Sequence, residues 1–365
     1  MNISKLIGCK PEFIHVATDY RGSDGSYKSG ELVQNETSTT MIFAASSFAL
    51  LATAIAAPLD LSSYSDAYSH FNVKSCDAYL SSPYAAFSCQ ATSQIPSGDK
   101  CCYQSPNGIV MQTQFWDYSQ IYVNTVVDQT LETLTAPNTT TPTNTRKDFT
   151  GLGSADQLFT IHGLWNDLCN GKYNQFCNDG LNVQASDLKD IITQQFDDTA
   201  LYNKMQQVWI NGANSNVADG SISQEQSNIN LWEHEYNKHG TCMSTLQPDC
   251  YKGSYQQYET AYDFYRKVVE VWDTLPTYDF LANAGITPSA EHKYKLSDVQ
   301  AALSAAHNGT TVYVGCADHD AISEIWYYHV VKGNILTGIY KPIDSLTKST
   351  CPDTVRYLPK HWGIM

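Results

Sequence analysis

Two well-separated segments concentrate the reactive side chains of this 365-residue chain: Phe159 to Trp165, read as FTIHGLW, and Leu231 to Cys242, read as LWEHEYNKHGTC. Between them stand His162, His234 and His239, the carboxylate of Glu235 and the ammonium of Lys238. Histidine is the side chain that both gives and accepts protons near neutrality. An ammonium beside it holds an anion. The chemistry such a set could do is proton transfer around a negatively charged reacting centre.

The second segment has a geometry of its own. On a helix each residue advances by about 100°. With His234 as the origin, Lys238 then falls near ~40°, Glu235 near ~100° and His239 near ~140°, with Cys242 near ~80°. Trp232, Glu233, Tyr236 and Asn237 fall outside that sector. One face therefore carries two histidines, a carboxylate and an ammonium, and Gly240 stands where a helix ends. The same phasing argues against zinc. His234 and His239 are five apart, whereas a zincin places its histidines four apart on one face. The residue four on from His234 is Lys238, a poor ligand, so no metal and no cofactor is expected.

Two histidines, one neutral and one protonated, are the minimal equipment for cleaving a phosphodiester that carries its own nucleophile. In RNA the 2′-hydroxyl attacks the adjacent phosphorus, a base takes its proton, an acid protonates the leaving 5′-oxygen, and cations stabilise the transition state. On spacing alone this is one candidate among several.

The elements that must position these residues are legible in outline. Ile109 to Phe115 and Leu158 to His162 read as strands, with His162 closing the second just before Gly163. Helical periodicity appears at Leu188/Ile191/Ile192, at Leu201/Met205/Val208/Trp209 and at Tyr265/Val268/Val269/Trp272, stripes that suit a core. Ser297 with Gln300 reads as a capping box ahead of a further helix. Thr311 to Val314, Glu324 to Val331 and Ile335 to Tyr340 read as closing strands. With no internal repeat, one α+β domain is the economical architecture.

Eleven cysteines point to an oxidising compartment and to disulfides. Their spacings are not those of a zinc finger, since Cys101 and Cys102 are adjacent and most others lie far apart. Residues 41–56 (MIFAASSFALLATAIA) have the apolar core and small-x-small ending of a signal peptide. They are too short for a membrane span. Residues 1–40 read as a disordered or additional leader. Its Cys9 is the odd cysteine, and removing it leaves ten, enough for five bridges. The mature domain is expected over 57–365, with an exposed Thr/Pro-rich loop at 133–146. Asn138 and Asn308 lie in glycosylation sequons. The formal net charge of −15 excludes bulk attraction to nucleic acid, so a polyanion must be held by a local cluster such as Lys238 with the histidines.

FTIHGLW and LWEHEYNKHGTC resemble the two active-site segments of the ribonuclease T2 family, secreted acid endoribonucleases, in its fungal branch. The likeness extends to Cys101-Cys102, MQTQFWD at 111–117, Asp167 to Cys169, Tyr173, Cys177, the Cys250 region and EIWYYHVVKG at 324–333. It covers roughly residues 75–355. The resemblance implies an antiparallel sheet flanked by helices, stapled by disulfides Cys76–Cys102, Cys89–Cys169, Cys101–Cys250, Cys177–Cys242 and Cys316–Cys351. Sequence alone cannot choose that connectivity. It further implies His239 as general base, His162 as general acid, His234 as phosphate holder, and Glu235 and Lys238 as transition-state stabilisers. Trp165, Asp167 and Tyr173 match the family's primary base pocket. Gln114 and Leu231 match a second, looser base site.

Two positions depart from the family pattern: Asn166 replaces a usual proline, and Tyr236 a common tryptophan. His70, His292, His307, His319, His329 and His361 are left unassigned. The reading is a monomeric, secreted, metal-independent endoribonuclease that takes single-stranded RNA through 2′,3′-cyclic phosphates to 3′-phosphates. No DNA partner is expected, nor any membrane contact once the signal is removed. A vacuole or other acidic lumen is the alternative location. The alternative function is an inert relative serving storage or recognition.

Overall fold

The computed structural model describes residues 70–90, 100–117, 157–212, 217 and 220–360. The expected leader at 1–40, the signal peptide at 41–56, the loop at 133–146 and its Asn138 lie outside the described residues. The same holds for His361.

A mostly antiparallel sheet is built on its longest strand. β5 (Ala321–Lys332) pairs antiparallel with β1 (Ile109–Phe115), β4 (Tyr313–Ala317) and β6 (Ile339–Pro342). β1 pairs in turn with β2 (Thr160–Asp167), and the strand order runs β2-β1-β5-β7-β3, with β3 at Lys293–Lys295 and β7 at Thr354–Arg356. The single Ala321–Arg356 pairing of β5 with β7 is parallel. β1 and β5 are buried along almost their whole length. That accounts for apolar and β-branched residues on both faces of each strand, where a half-exposed strand would confine them to one.

The helices among the described residues are α1 (Asp77–Leu80), α2 (Ala185–Asp190), α3 (Thr199–Val208), α4 (Gln224–Lys238), α5 (Glu259–Asp273), α6 (Thr277–Asn283) and α7 (Leu296–Ala306). α4 carries most of the second reactive segment. Its start is set by Ser223, whose hydroxyl accepts from the Gln226 N–H at 3.0 Å. Glu225 in the first turn and Lys238 in the last complement the helix dipole.

The sheet separates two unequal cores. One face packs Val110, Ile161, Leu164, Ile325 and Tyr327 against Trp209, Trp232, Tyr236, Phe264 and Tyr265. The other carries a smaller cluster of Ile109, Met111, Tyr313, Tyr328 and Val330, flanked by Trp165 and Trp326. The catalytic candidates lie on this second, aromatic face.

Several local expectations change. The strand holding His162 does not end there but runs on through Trp165 to Asp167, because β1 continues to pair with it. α7 begins at Leu296 with Lys295 as its cap residue, and the Ser297 hydroxyl donates to Asp298 inside the first turn, so no capping box forms. Ile335 and Leu336 are buried in the turn before β6 rather than in a strand. Cys76–Cys102, Cys89–Cys169, Cys101–Cys250, Cys177–Cys242 and Cys316–Cys351 are joined as disulfides. No helix among the described residues is long and apolar enough to cross a membrane.

Candidate active site

His162 owes its position to an irregularity in β2. Thr113 pairs with Gly163 while the next residue, Gln114, pairs with Ile161, so His162 is skipped in the register. The skipped residue is a β-bulge, which re-aims side chains. Ile161 and Leu164, three apart, both enter the helix-side core, whereas strict alternation would part them. By the same shift His162 and Trp165 share the aromatic face, with ring centroids 4.7 Å apart and edge to face. Phe115 stacks on the imidazole at 3.9 Å. The Trp209 indole N–H donates to the His162 carbonyl at 2.8 Å, holding the bulge from behind.

α4 delivers the second half. Trp232 and Tyr236 go into the core, and Glu235, on the adjoining flank of the helix, reaches β2. The Trp165 indole N–H donates to Glu235 Oε2 at 2.6 Å, and Glu235 Oε1 lies 3.6 Å from His162 Nε2. His239 caps the helix, and its ring stacks on Trp165 at 5.1 Å and 17°. Trp165 thus stands between the two imidazoles.

Gly240 does not take the left-handed conformation usual after a helix. The chain tightens into a 3₁₀ turn at Gly240–Cys242. A side chain there would meet Tyr236 Cδ2 at 2.5 Å and Phe264 Cδ2 at 3.2 Å, so close packing is what requires glycine. The helix end is further clamped by the segment around Cys177. The Phe176 N–H donates to the Lys238 carbonyl at 3.0 Å and the Cys177 N–H to Thr241 Oγ1 at 3.1 Å, beside the Cys177–Cys242 bridge.

The electrostatics divide the histidines. Burial, then the neighbouring Lys238, His234 and His162, hold the His239 imidazole well below the ordinary histidine range, so it is neutral. Burial, then Lys238 and His162, lower His234 to about 4. Both imidazoles are therefore neutral, beside the Lys238 side chain. Glu235 is raised by burial, with His162 and the Trp165 hydrogen bond acting against that rise. His234 Nε2 and both ring nitrogens of His239 are buried without a hydrogen-bond partner among the described residues. Such groups are costly unless something else satisfies them.

The base-pocket candidates are gathered by a tight turn. The Leu168 N–H donates to the Lys172 carbonyl at 2.7 Å, and Tyr173 bridges back beside Asp167. Trp165 and Asp167, two apart on one strand, are thereby joined by Tyr173, whose ring is 57% exposed and free to stack. Burial raises the Asp167 carboxyl to about 7, opposed by Lys238.

Gln114 is not brought to this cleft. It lies on the helix-side face, fully buried, its amide N–H donating to the Leu275 carbonyl at 3.0 Å and its oxygen accepting from Thr277 Oγ1 at 2.6 Å. Both groups are committed to the core, and the bulge on its neighbour strand does not change its own parity. Leu231 is partly buried against the main core, one turn before Glu235.

The structure adds residues that the motifs did not single out. Phe115, Asp117, Glu324 and Trp326 surround His162 and Trp165. A sign was present: Glu324 is the one carboxylate in a long, mostly apolar strand. The departures from the family pattern are also placed. The Tyr236 hydroxyl shares a 2.8 Å hydrogen bond with Thr260 in the core, and Asn166 is buried with neither amide atom partnered among the described residues. The grouping of potential metal ligands among the described residues is Cys101, Asp249 and Cys250, whose two sulfurs are bonded to each other and offer no thiolate.

Comparison with known proteins is consistent in one direction. The ribonuclease T2 family profile matches residues 107–350. The chain is 37% identical over 275 residues to ribonuclease T2 of Aspergillus oryzae, covering 75% of this chain and 82% of that one. It is 38% identical over 269 residues to ribonuclease T2-like 1-A of Candida albicans, covering 72% of this chain but 56% of the relative's length. The chain thus spans little more than half of that relative and of the similar protein of Debaryomyces hansenii. Among solved structures it resembles Actibind, a T2 ribonuclease, with TM-score 0.60 and 34% identity over 80% of this chain and all of that one.

Proposed function

The chain belongs to the ribonuclease T2 family, and on that premise we propose that it is a metal-independent endoribonuclease acting on single-stranded RNA. The observation that carries this reading is the arrangement of His162 and His239 on either side of Trp165, with unpartnered nitrogens buried on each ring.

His239, neutral in the free protein, takes the 2′-hydroxyl proton as O2′ bonds to phosphorus. The P–O5′ bond breaks, and His162 gives a proton to O5′. The products are a 2′,3′-cyclic phosphate and a free 5′-hydroxyl. Lys238 supplies fixed positive charge to the phosphorane-like oxygens and His234 a hydrogen bond, both at atoms where charge develops. In the second half His239 returns its proton to O2′ while His162 takes one from water, which opens the ring to a 3′-phosphate. Both residues are then reset. A base stacks on Trp165 and Tyr173, with Asp167 at its edge.

The remaining features fit a secreted protein: a signal at 41–56, a catalytic domain at 57–365, and glycans on Asn138 and on Asn308, which is exposed in the turn after α7. We take the protein to act as a monomer.

Digestion of an RNA oligonucleotide with product analysis tests the reading. Cyclic phosphates should appear first and 3′-phosphates later, with EDTA without effect. His239→Ala should lower kcat by about 10²–10⁴-fold. Pure protein that releases no cyclic phosphate would leave the inert relative in its place, and activity lost to EDTA and restored by zinc would argue for a metal site.

A further inference from the structure

Behind His162, on the side away from Glu235, stands a second buried carboxylate. Glu324 lies on β5 directly opposite Phe115 of β1, the residue whose ring stacks on His162. It is 8% exposed, and its Oε1 is 3.6 Å from His162 Nδ1. The imidazole is therefore flanked by carboxylates at both nitrogens, Glu235 at Nε2 and Glu324 at Nδ1. They are not equivalent. Glu235 has its other oxygen held by Trp165 and belongs to the helix that carries His239 and Lys238, so it stands on the substrate side. Glu324 sits on the central strand, pinned by the β1 and β4 pairings.

A carboxylate buried in a strand is costly without a partner. The partner Glu324 has at ion-pair distance is His162. Other charges face this pair from every side. Asp117, just beyond β1, interacts with Lys360, His162 and Glu324, and burial above all raises its carboxyl to about 6. Lys360 donates to the Leu158 carbonyl at 2.5 Å. From α4 come Glu235, Lys238, His234 and His239.

We propose that Glu324 is the positioning residue for His162, accepting the Nδ1–H so that Nε2 is the nitrogen that delivers and later recovers the proton. This rests on His162 acting as the acid in the proposed RNA cleavage. The consequence is sharpest after the first transfer. A neutral histidine keeps one proton, and with Glu324 at Nδ1 that proton stays there and Nε2 is bare, ready to accept from water. Without the carboxylate the two tautomers compete, and the wrong one cannot serve the second half. At 3.6 Å the contact is longer than a made hydrogen bond, as catalytic contacts in unliganded enzymes often are before substrate tightens them.

The test compares Glu324→Gln with wild type and His162→Ala on an RNA oligonucleotide. Glu324→Gln should lower kcat by about tenfold or more with KM changed by less than about twofold, by analogy with the loss of a partner that orients a metal-bound histidine. The alkaline limb of its pH–rate profile should move toward acid, and cyclic phosphate should accumulate. A purely structural role would lower melting temperature without moving that limb. Independently of any variant, nitrogen NMR of the wild-type His162 ring in its neutral form should show the proton on Nδ1. A proton on Nε2, or an unmoved limb with unchanged kcat in Glu324→Gln, overturns the proposal. Activity surviving in His162→Ala would instead overturn the acid assignment on which it rests.

Discussion

Gly163 leaves the space that the Glu235 carboxylate occupies. A methyl group at Gly163 would fall inside contact distance of Glu235 Oε2 and 2.8 Å from the Trp165 indole nitrogen. The glycine of the first motif is thus read by the carboxylate of the second, across 72 positions of sequence, and the two segments fit only as a pair.

Gly163→Ala should therefore damage the site more than the fold. The Trp165–Glu235 hydrogen bond must open, displacing the carboxylate beside His162. We expect kcat/KM to fall by about 10²-fold, the cost of misplacing a group by about 1 Å, with a stability loss of about 1–3 kcal/mol from overpacking. Kinetics and chemical denaturation on the same preparation measure both. Full activity would show that Glu235 is not held in place by this contact.

Asp167 makes the stability of the protein depend on pH in a direction opposite to an ordinary carboxylate. Its folded value of about 7 stands above the unfolded 3.8, so the fold favours the protonated form. That contribution is complete below about pH 4 and is lost as pH rises through about 7. Asp167→Asn removes the titration. Relative to wild type, its stability should rise between pH 4 and pH 8 by on the order of 1–2 kcal/mol, discounted for the partial exposure of the side chain. A difference that stays constant with pH would remove burial as the dominant influence on Asp167.

The Cys177–Cys242 bridge ties the end of α4 to the segment around Cys177 across a sequence separation of 65. Replacing both cysteines by serine should cost about 2–4 kcal/mol, chiefly by freeing the unfolded chain. Equilibrium denaturation of variant and wild type gives the value. Equal stability would mean that the hydrogen bonds of Phe176 and Cys177 to α4 hold this end without covalent help.

Asn166 buries an amide whose oxygen and nitrogen have no partner among the described residues. Leucine has nearly the same shape and nothing to satisfy. Asn166→Leu should raise stability by about 1–2 kcal/mol with the site intact. A lower melting temperature would mean that the amide is satisfied in solution.

The longer strands β1, β2 and β5, the helical stripes of α2, α3 and α5, and the reactive face of α4 are legible because each rests on a local period; the short α1, α6, β3 and β7 are too brief to show one. Two residues repeat in a strand and 3.6 in a helix, whereas caps are less legible: Ser297 with Gln300 has the pattern of a capping box that does not form, while Ser223 does cap α4. The histidine-glycine pair at 162–163 looks like the end of a strand, whereas pairing with β1 carries the strand on to Asp167. The motif around Gln114 resembles a base site, but parity on β1 sends its side chain to the core.

By itself the sequence determined the inventory of acids, bases and cations, the helical phase that sets His234, Glu235 and Lys238 on one side, and the family. The tertiary structure alone decided which nitrogen of His162 meets which carboxylate. That depends on a residue skipped between β1 and β2, and on the register that brings Glu324 of β5 opposite Phe115. Both are properties of strand pairing between distant segments, and a shift of one residue in either would turn these side chains to the other face.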